Sequence, residues 1–153
     1  MRDHQEVIPV LAAWIYDEWS YLYPEMTLQY AVSLLGERSN TERLPLTLVA
    51  FEAGKPVGTV SLTIFDMETR SDTPYWLTSL YVEKRWRRRK IGSNLVKTAE
   101  KKAIELKIDK LFLFTTDIFL PELFYAKLGW RMKEKTMYHL HPVVIMEKNL
   151  SRK

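Results

Sequence analysis

The residues best suited to chemistry form a short basic run, Lys84–Lys90, which is followed closely by Gly92 and Ser93. Glycine lets the backbone approach a ligand, serine adds a hydroxyl donor, and the cationic side chains neutralise negative charge. If a helix begins here, its first backbone N–H groups lack intrahelical partners and lie at the positive end of the helix dipole. The combination predicts a binding site for phosphate groups.

The positive charge of the chain is concentrated in this run. The run holds six of the 23 lysines and arginines, and the other 17 are outnumbered by 19 acidic residues. Local basicity favours a compact anionic ligand over a long polyanion, which needs a broad basic face. A nucleic-acid-binding module that uses Lys84–Lys90, with Trp86 stacking on a base, is the less favoured alternative. A solvated charged surface without any ligand is the third interpretation.

The composition disfavours several other kinds of site. The chain has no cysteine, and therefore no disulfide, thiolate nucleophile or thiolate metal site. Neither GxxxxGK followed by Ser or Thr, nor GxGxxG after a strand, occurs. His139 and His141 lack partners at metal-ligand spacing, so we predict no metal. No apolar stretch is long enough to span a membrane and no secretory signal is evident, so we predict a cytoplasmic protein without membrane contact.

Two strongly patterned elements must position the basic run. A strand is predicted at Tyr75–Val82, directly before it. A helix is predicted directly after it, from an apolar stripe at helical spacing, with polar residues outside the stripe. The stripe consists of Ile91, Leu95, Ala99, Ala103 and Leu106, and the polar residues are Lys97, Glu100, Lys101 and Glu105.

The remaining patterns predict eight further elements. They are a helix over Ile8–Leu22, a helix capped by Thr27 and continuing to Leu35, strands at Leu46–Phe51 and Val60–Phe65 joined by a hairpin turn at Glu52–Lys55, a strand at Leu111–Thr115, a helix over Leu120–Leu128 ending at Gly129, and strands at Trp130–Tyr138 and Val143–Leu150. The order ααβββαβαββ predicts one domain, residues 1–153, of the α+β or mixed α/β class around a single sheet.

Three segments resemble the GNAT acetyltransferases. In the stretch LTSLYVEKRWRRRKIGSNLVKTAEKKA, Arg87 and Gly92 match the first and last positions of the family's Arg/Gln-x-x-Gly-x-Gly/Ala loop between a strand and a helix. Lys90 stands where the family usually has its first glycine. FYAKLGW (124–130) resembles the family's late Tyr-x-x-x-Gly-aromatic segment, and FEAGKPVGTVSL (51–62) resembles the hairpin that leads into its core strands.

The resemblance implies a GNAT-type fold, with a central, mostly antiparallel twisted sheet flanked by about four helices. It also implies an acetyl-CoA-dependent N-acetyltransferase that acts on a primary amine, either a small molecule or a peptide or protein N-terminus, by direct attack in a ternary complex. In relatives, the strand before the loop holds the acetyl carbonyl and pantetheine, and the loop holds the pyrophosphate. These positions correspond to Leu80, Tyr81 and Val82, and to Arg87, Arg88, Arg89, Lys90, Ile91, Gly92 and Ser93. Homodimers are frequent among such relatives.

The resemblance also suggests catalytic residues. Tyr125 matches the tyrosine that protonates the coenzyme A thiolate in many relatives, and a phenol has a reference pKa near that of a thiol, about 10. Its other interpretation is a core aromatic residue. Tyr75–Val82 contains no carboxylate, so Thr78 and Ser79 would at most position a water. The candidate bases are therefore Asp117, Tyr138, His139 and His141. The second alternative function is an inactive relative that binds acyl-CoA. The sequence does not identify the amine acceptor.

Overall fold

The structure is a computed structural model that describes residues 2–67, 72–116 and 119–150. Along these residues the chain forms four α-helices and six strands, with 3-10 turns at Arg2–Val7 and Lys84–Trp86. The helices are α1 (Ile8–Trp19), α2 (Leu28–Glu37), α3 (Ile91–Glu105) and α4 (Phe119–Lys127). The strands are β1 (Leu46–Glu52), β2 (Lys55–Thr63), β3 (Trp76–Val82), β4 (Lys110–Thr116), β5 (Arg131–Tyr138) and β6 (His141–Asn149). The predicted order and the mixed α/β class are confirmed.

The strands form one sheet in the order β1-β2-β3-β4-β6-β5. Neighbouring strands are antiparallel except β3 and β4, which are parallel. Within the described residues, β3 and β4 pair at a single position, Trp76 with Phe112. β4 pairs with β6 along its whole length. Beyond Trp76 the sheet therefore divides, and a gap opens between the carboxyl ends of β3 and β4, on the side where β3 leads into the basic run.

Helices cover both faces of the sheet. Successive residues of a strand point to opposite faces, and Trp76 and Leu77 accordingly belong to different clusters of buried side chains. Leu77 lies in the cluster that contains Leu95 and Ala99 of α3, against which α4 also packs. Trp76 lies in the cluster that contains Leu22, which follows α1. The candidate loop therefore starts in a strand that is held from both sides.

The first helix is shorter than predicted. α1 ends at Trp19, and the chain then turns tightly, with the Leu22 N–H donating to the Trp19 carbonyl at 2.9 Å. Leu22 is nevertheless completely buried. Leu22 packs in the core from the turn after α1. Its helical spacing from the apolar residues of α1 therefore extended the predicted helix beyond its end at Trp19.

The second strand also differs from the prediction, because β2 ends at Thr63 and both of its faces are buried from Val57 onward. Hydroxyl groups make the polar face compatible with burial, since Thr47 and Ser61 share a 2.8 Å hydrogen bond and Thr59 donates to the Leu48 carbonyl. The alternation of apolar residues with serine and threonine along β2 therefore corresponds to two buried faces, and neither face of the strand is solvated from Val57 onward.

One residue of α3 departs from the predicted polar face. Glu100 is only 8% exposed. Its carboxylate accepts hydrogen bonds from Lys148 Nζ and from Trp130 Nε1, both at 2.9 Å. Lys148 Nζ also donates to the Leu128 carbonyl at 2.7 Å. We call Glu100, Lys148, Trp130 and Leu128 the α4 anchor, because they join the end of α4 to α3 and β6.

Candidate active site

The basic run forms the turn between β3 and α3, as predicted. Arg88 and Lys90 both have left-handed backbone conformations, with φ of 67° and 65°. Lys90 directly precedes the first turn of α3, and among the described residues its side chain makes no hydrogen bond that caps the helix. Left-handed residues in a turn can direct neighbouring N–H groups into one concave anion-binding surface. Lys90 thus has the backbone conformation that glycine favours, although it is not glycine.

The side chains of the run point in different directions. Arg87 lines a large cavity and donates from Nε to the Val82 carbonyl at 2.8 Å. Arg89 stacks on Trp86, with 4.9 Å between its guanidinium carbon and the ring centroid. Arg85 is 3.6 Å from the carboxylate of Glu83. Of the predicted phosphate-binding side chains, Arg87 is therefore the one that reaches the cavity, and Arg89 covers the ring that a nucleic-acid base would need.

Gly92 and Ser93 lie in the first turn of α3. The Ser93 hydroxyl donates to the Lys90 carbonyl at 3.2 Å, so it stabilises the turn. A Cβ at position 92 would lie 3.5 Å from Phe124 of α4, which is ordinary van der Waals contact. The first turn of α3 is thus in close contact with α4, the helix that carries Tyr125.

The cavity occupies the gap between β3 and β4 and has a volume of about 1010 Å³. Leu80, Arg87 and Tyr125 line it, and so do Thr78 and Ser79. Tyr81 packs instead against Trp14, with ring centroids 5.2 Å apart. Residues from the first two helices and from the segment after β2 close the other part of the cavity: Glu18, Trp19, Tyr21, Tyr23, Tyr30, Arg38, Phe65 and Asp66.

Tyr125 lies on α4 with its ring between Phe124 and Trp130, at centroid distances of 5.1 and 6.1 Å. The Trp130 N–H donates to the Tyr125 carbonyl at 3.1 Å. Burial raises the pKa of Tyr125 above its ordinary value, so the hydroxyl stays protonated throughout the neutral range. A half-buried phenol at the wall of this cavity has the position of a proton donor.

The bases suggested by the sequence are not brought to this cavity. The described lining residues do not include Tyr138, His139 or His141. The ring of His139 packs against Tyr138 at 4.2 Å, and that of His141 packs against Tyr21 at 5.1 Å. Asp117 lies outside the described residues.

Asp66 is a carboxylate of the cavity that the sequence analysis missed. It lies three residues beyond the end of β2, and Thr78 of β3 donates a hydrogen bond to it. Burial raises the pKa of Asp66 to about 6, and the charge of Arg38 and the Thr78 hydrogen bond oppose that rise. The available signal was the position of Asp66 between two consecutive predicted strands, because antiparallel pairing of such strands brings the end of one beside the start of the next.

Arg38 was missed as well. It follows α2 and is 8% exposed, and its Nη1 donates to the Ser79 hydroxyl at 3.2 Å. The pairing of β2 with β3 shifts here, since Thr59 pairs with Tyr81 whereas Ser61 pairs with Thr78, and this shift is a bulge in β3. Ser79 lies in the bulge and has a φ of 59°. The bulge and Arg38 together fix the middle of β3, where it borders the cavity.

Over the ranges given above, no helix is long and apolar enough to cross a membrane. Over the same ranges, no group of three or more His, Cys, Asp or Glu converges as a metal site would require.

Comparison with known proteins places this geometry in a family. Residues 8–130 match the acetyltransferase (GNAT) family. No curated protein matches the sequence significantly. The fold is similar to that of a ribosomal-protein-alanine N-acetyltransferase from Brucella melitensis, with 19% identity, 95% of each chain covered and a TM-score of 0.74.

Two aminoglycoside 6′-N-acetyltransferase structures are also similar. One is from Enterococcus faecium and one is complexed with coenzyme A, and each shows 20% identity over 95% of this chain and 93% of the other. Their TM-scores are 0.69 and 0.70. These likenesses confirm the expected mostly antiparallel sheet with flanking helices, and the family match covers most of the sequence. The chain belongs to the GNAT family of acetyltransferases.

Proposed function

We propose that the protein transfers the acetyl group of acetyl-CoA to a primary amine. The observation that carries the proposal is a single cavity that is lined by Arg87 of the turn before α3, by residues of β3 and β4, and by Asp66. A phosphate-binding turn suits one end of acetyl-CoA, and the two described carboxylates of the cavity, Asp66 and Glu18, suit a cationic amine although Arg38 offsets part of their charge. The coenzyme A complex of a similar fold supports the same assignment.

The turn before α3 has the features that a pyrophosphate needs. The backbone N–H groups of Arg88–Ser93 would hold its oxygens, and Arg87 and Lys90 would add positive charge. The left-handed conformation at Lys90 fits this role, because it preserves the backbone geometry for which relatives use glycine. The lysine adds a cation at that position without changing the shape of the turn.

The gap in the sheet has the features that the rest of the cosubstrate needs. Because β3 pairs with β4 at Trp76 alone within the described strands, backbone polar groups farther along β3 have no partner from β4. Buried backbone groups must be satisfied, and the amides of pantetheine and the acetyl carbonyl would satisfy those around Leu80, Tyr81 and Val82. Acetyl-CoA supplies the thioester, and the chain orients it.

Tyr125 would protonate the departing sulfur. Its raised pKa keeps the proton on the phenol until a strongly basic thiolate forms nearby. If Tyr125 only packs against Trp130, phenylalanine would serve equally well. Tyr125→Phe should therefore lower kcat without weakening acetyl-CoA binding, whereas an inactive acyl-CoA-binding relative would have no kcat to lower.

Calorimetric titration of acetyl-CoA tests the cosubstrate site. The variant Arg87→Ala/Lys90→Ala should bind about 10- to 100-fold more weakly, because it loses two charge-assisted contacts. Arg85→Ala is the matched control, since Arg85 is exposed and pairs with Glu83 outside the cavity. Absence of wild-type binding would overturn the proposal, and binding of RNA that weakens steeply with salt would support the nucleic-acid alternative.

Amine turnover tests the transfer reaction. Release of coenzyme A from acetyl-CoA should be stimulated by at least one of four amines, namely tyramine, spermidine, kanamycin and a peptide with an N-terminal alanine. Mass spectrometry of the product should show one added acetyl group. Binding of acetyl-CoA without turnover of any amine would support the inactive relative.

A further inference from the structure

We infer that Asp66 binds the acceptor as its ammonium cation and removes the proton before the nitrogen attacks the acetyl group. The inference rests on the proposed acetyl transfer and assigns the base that this transfer requires. It also gives the chemical class of the acceptor, an organic cation with a primary ammonium group.

The position of Asp66 in the cavity supports this role. Its carboxylate accepts a hydrogen bond from Thr78, which lies two residues before Leu80 on β3. Leu80 lines the same cavity on the other side of the bulge at Ser79. A nitrogen bound at Asp66 would therefore share one cavity with an acetyl group held beside Leu80. Tyr125 lines the same cavity from the α4 side.

The other carboxylate of the cavity is a weaker candidate. Glu18 lies on the last turn of α1 and is exposed, so water screens its charge. Asp66 is mostly buried and is held in place by the neighbouring strand. A base must be oriented within reach of the proton that it removes, and Asp66 meets that condition better than Glu18 does.

Three groups from other elements face Asp66 and change its pKa or have theirs changed by it. Arg38 approaches from the end of α2, Tyr23 from the segment after α1 and Thr78 from β3. Arg38 is itself held by Ser79 through Nη1. Burial raises the pKa of Asp66 to about 6, so the carboxyl group is ionised at neutral pH and can still accept a proton from an ammonium group.

Aromatic side chains around the same part of the cavity favour an organic cation. Tyr21, Tyr30 and Phe65 are each about half exposed and line the cavity together with Trp19. Ring faces attract cations and pack against apolar or cyclic groups. The rings would thus hold the body of the acceptor while Asp66 holds its ammonium group.

The proton balance closes with residues of this chain. Asp66 takes one proton from the ammonium group, and the neutral nitrogen bonds to the thioester carbonyl carbon. The carbon–sulfur bond breaks, and the sulfur takes the proton of the Tyr125 hydroxyl. The second proton of the nitrogen restores that hydroxyl through water, and Asp66 passes its proton to solvent. The net products are an amide, coenzyme A and one proton.

The test is the pH profile of kcat/KM between pH 5 and pH 10 for tyramine, spermidine and kanamycin with saturating acetyl-CoA. Wild type should rise with unit slope and level off above about pH 6 to 7, where Asp66 is ionised. The Asp66→Asn variant should have a kcat about 100-fold lower at pH 7.5. Its kcat/KM should continue to rise with pH up to the pKa of the free amine, near 10. Asp17→Asn is the control, because Asp17 is an exposed α1 residue outside the cavity.

A second variant separates the role of a base from a role in folding. Thr78→Val removes the hydrogen bond that lowers the pKa of Asp66, so the rising limb should move to higher pH. Acetyl-CoA affinity should stay within about twofold of wild type in both variants.

Several results would overturn the inference. The first is a wild-type kcat/KM that rises without a plateau up to the pKa of the amine. The second is a pH profile of Asp66→Asn like that of wild type. The third is a rising limb in Thr78→Val at the same pH as in wild type. Failure to acetylate any of the three cations by a protein that binds acetyl-CoA would also contradict a site for ammonium groups. Failure to bind acetyl-CoA would instead reject the proposed function itself.

Discussion

At the scale of single residues, Lys90 combines an unfavourable backbone with a useful charge. A residue with a Cβ in the left-handed conformation costs about 1 to 2 kcal/mol, and Lys90 has a φ of 65° at the start of α3. Such strain is commonly retained at functional sites. We infer that the ammonium group compensates for the strained backbone through its contact with an anion.

Lys90→Gly and Lys90→Ala separate these two effects. Glycine should leave the free energy of unfolding unchanged or raise it by up to about 1 kcal/mol, whereas alanine keeps the strained φ and should not stabilise the fold. Both variants should weaken acetyl-CoA binding by a similar factor, because both lose the charge. Urea unfolding and calorimetry measure the two quantities. Tighter binding by the glycine variant than by wild type would show that the lysine charge is not used.

Asp66 should make stability depend on pH in an unusual direction. Its pKa is raised to about 6 in the folded protein from 3.8, so between those values the folded chain binds more protons than the unfolded chain. Stability therefore falls as pH rises through this window. Relative to Asp66→Asn, wild type should lose roughly 3 kcal/mol of unfolding free energy between about pH 4 and pH 7. Denaturant titrations at several pH values would refute this if the difference stayed constant.

Individual residues were the hardest level to predict from sequence. Arg87, Gly92 and Tyr125 were found because local motifs contain them, and their assignment as a site stays a prediction. Asp66 and Arg38 carry no local motif, since their meeting depends on the pairing of β2 with β3 and on the end of α2. Glu100 was placed on the wrong face because its buried partners, Lys148 and Trp130, come from distant parts of the chain.

At the scale of secondary-structure elements, the α4 anchor sets the position of Tyr125. Lys148 connects Glu100 of α3 to the Leu128 carbonyl at the end of α4. Trp130 joins the same network and donates its backbone N–H to the Tyr125 carbonyl. Tyr125 is thus held by a polar network whose members are not among the described residues that line the cavity.

Lys148→Met tests this dependence. Removing Lys148 takes a donor from the Leu128 carbonyl and leaves the Glu100 carboxylate buried with the hydrogen bond from Trp130 but without its cation. The change should cost about 2 to 3 kcal/mol of unfolding free energy. kcat should fall as well, with little change in acetyl-CoA affinity. Lys101→Met on the exposed face of α3 is the control and should change neither. Wild-type kcat in a destabilised Lys148→Met protein would show that the network acts on folding alone.

The packing of α3 on β2 requires glycine at position 58. A Cβ there would lie 3.0 Å from Leu95 Cδ1, 3.2 Å from the Tyr81 carbonyl oxygen and 3.3 Å from Ile91 Cγ2. Gly58→Ala should therefore move the start of α3, destabilise the protein by about 1 to 3 kcal/mol and weaken acetyl-CoA binding.

Gly36→Ala is the matched control for this change. No described atom lies within 4 Å of a Cβ at position 36, which is in α2. Alanine there should stabilise the helix by up to about 1 kcal/mol and leave binding unchanged. Thermal unfolding and calorimetry of the two variants compare the effects. Equal behaviour of the two alanines would argue against close packing at Gly58.

The types and order of the elements were largely predictable, because hydrophobic periodicity depends on local sequence. Boundaries were less predictable where a residue is buried for reasons outside its own element. Leu22 extended the predicted first helix although it packs beyond the end of α1. Phe65 is instead about half exposed, and it extended the predicted second strand although β2 ends at Thr63. The gap between β3 and β4 had no signal in either strand alone.

At the scale of the whole molecule, the charges are arranged along one cavity. Arg87 carries positive charge beside the turn before α3, whereas in another part of the cavity the two carboxylates of Asp66 and Glu18 outnumber the one cation among the described residues there, Arg38. Such separation favours binding a polyanion and a cation side by side and discourages exchange of their places. The net charge of +4 hides this polarity, because it averages over the chain. The single domain, the homodimer and the cytoplasmic location remain predictions.

The divided sheet has a further consequence for the dynamics of the protein. Two inner strand edges face each other across the gap, and a backbone amide without a ladder partner exchanges its hydrogen readily with solvent. Amides of β3 beyond Trp76 that face β4 should therefore exchange faster than amides of β4 paired with β6. Acetyl-CoA should slow the former selectively, which hydrogen–deuterium exchange with mass spectrometry can measure. Bound acetyl-CoA would then protect the edge of β3 as a neighbouring strand would, and the local stability of this region would rise with the concentration of acetyl-CoA.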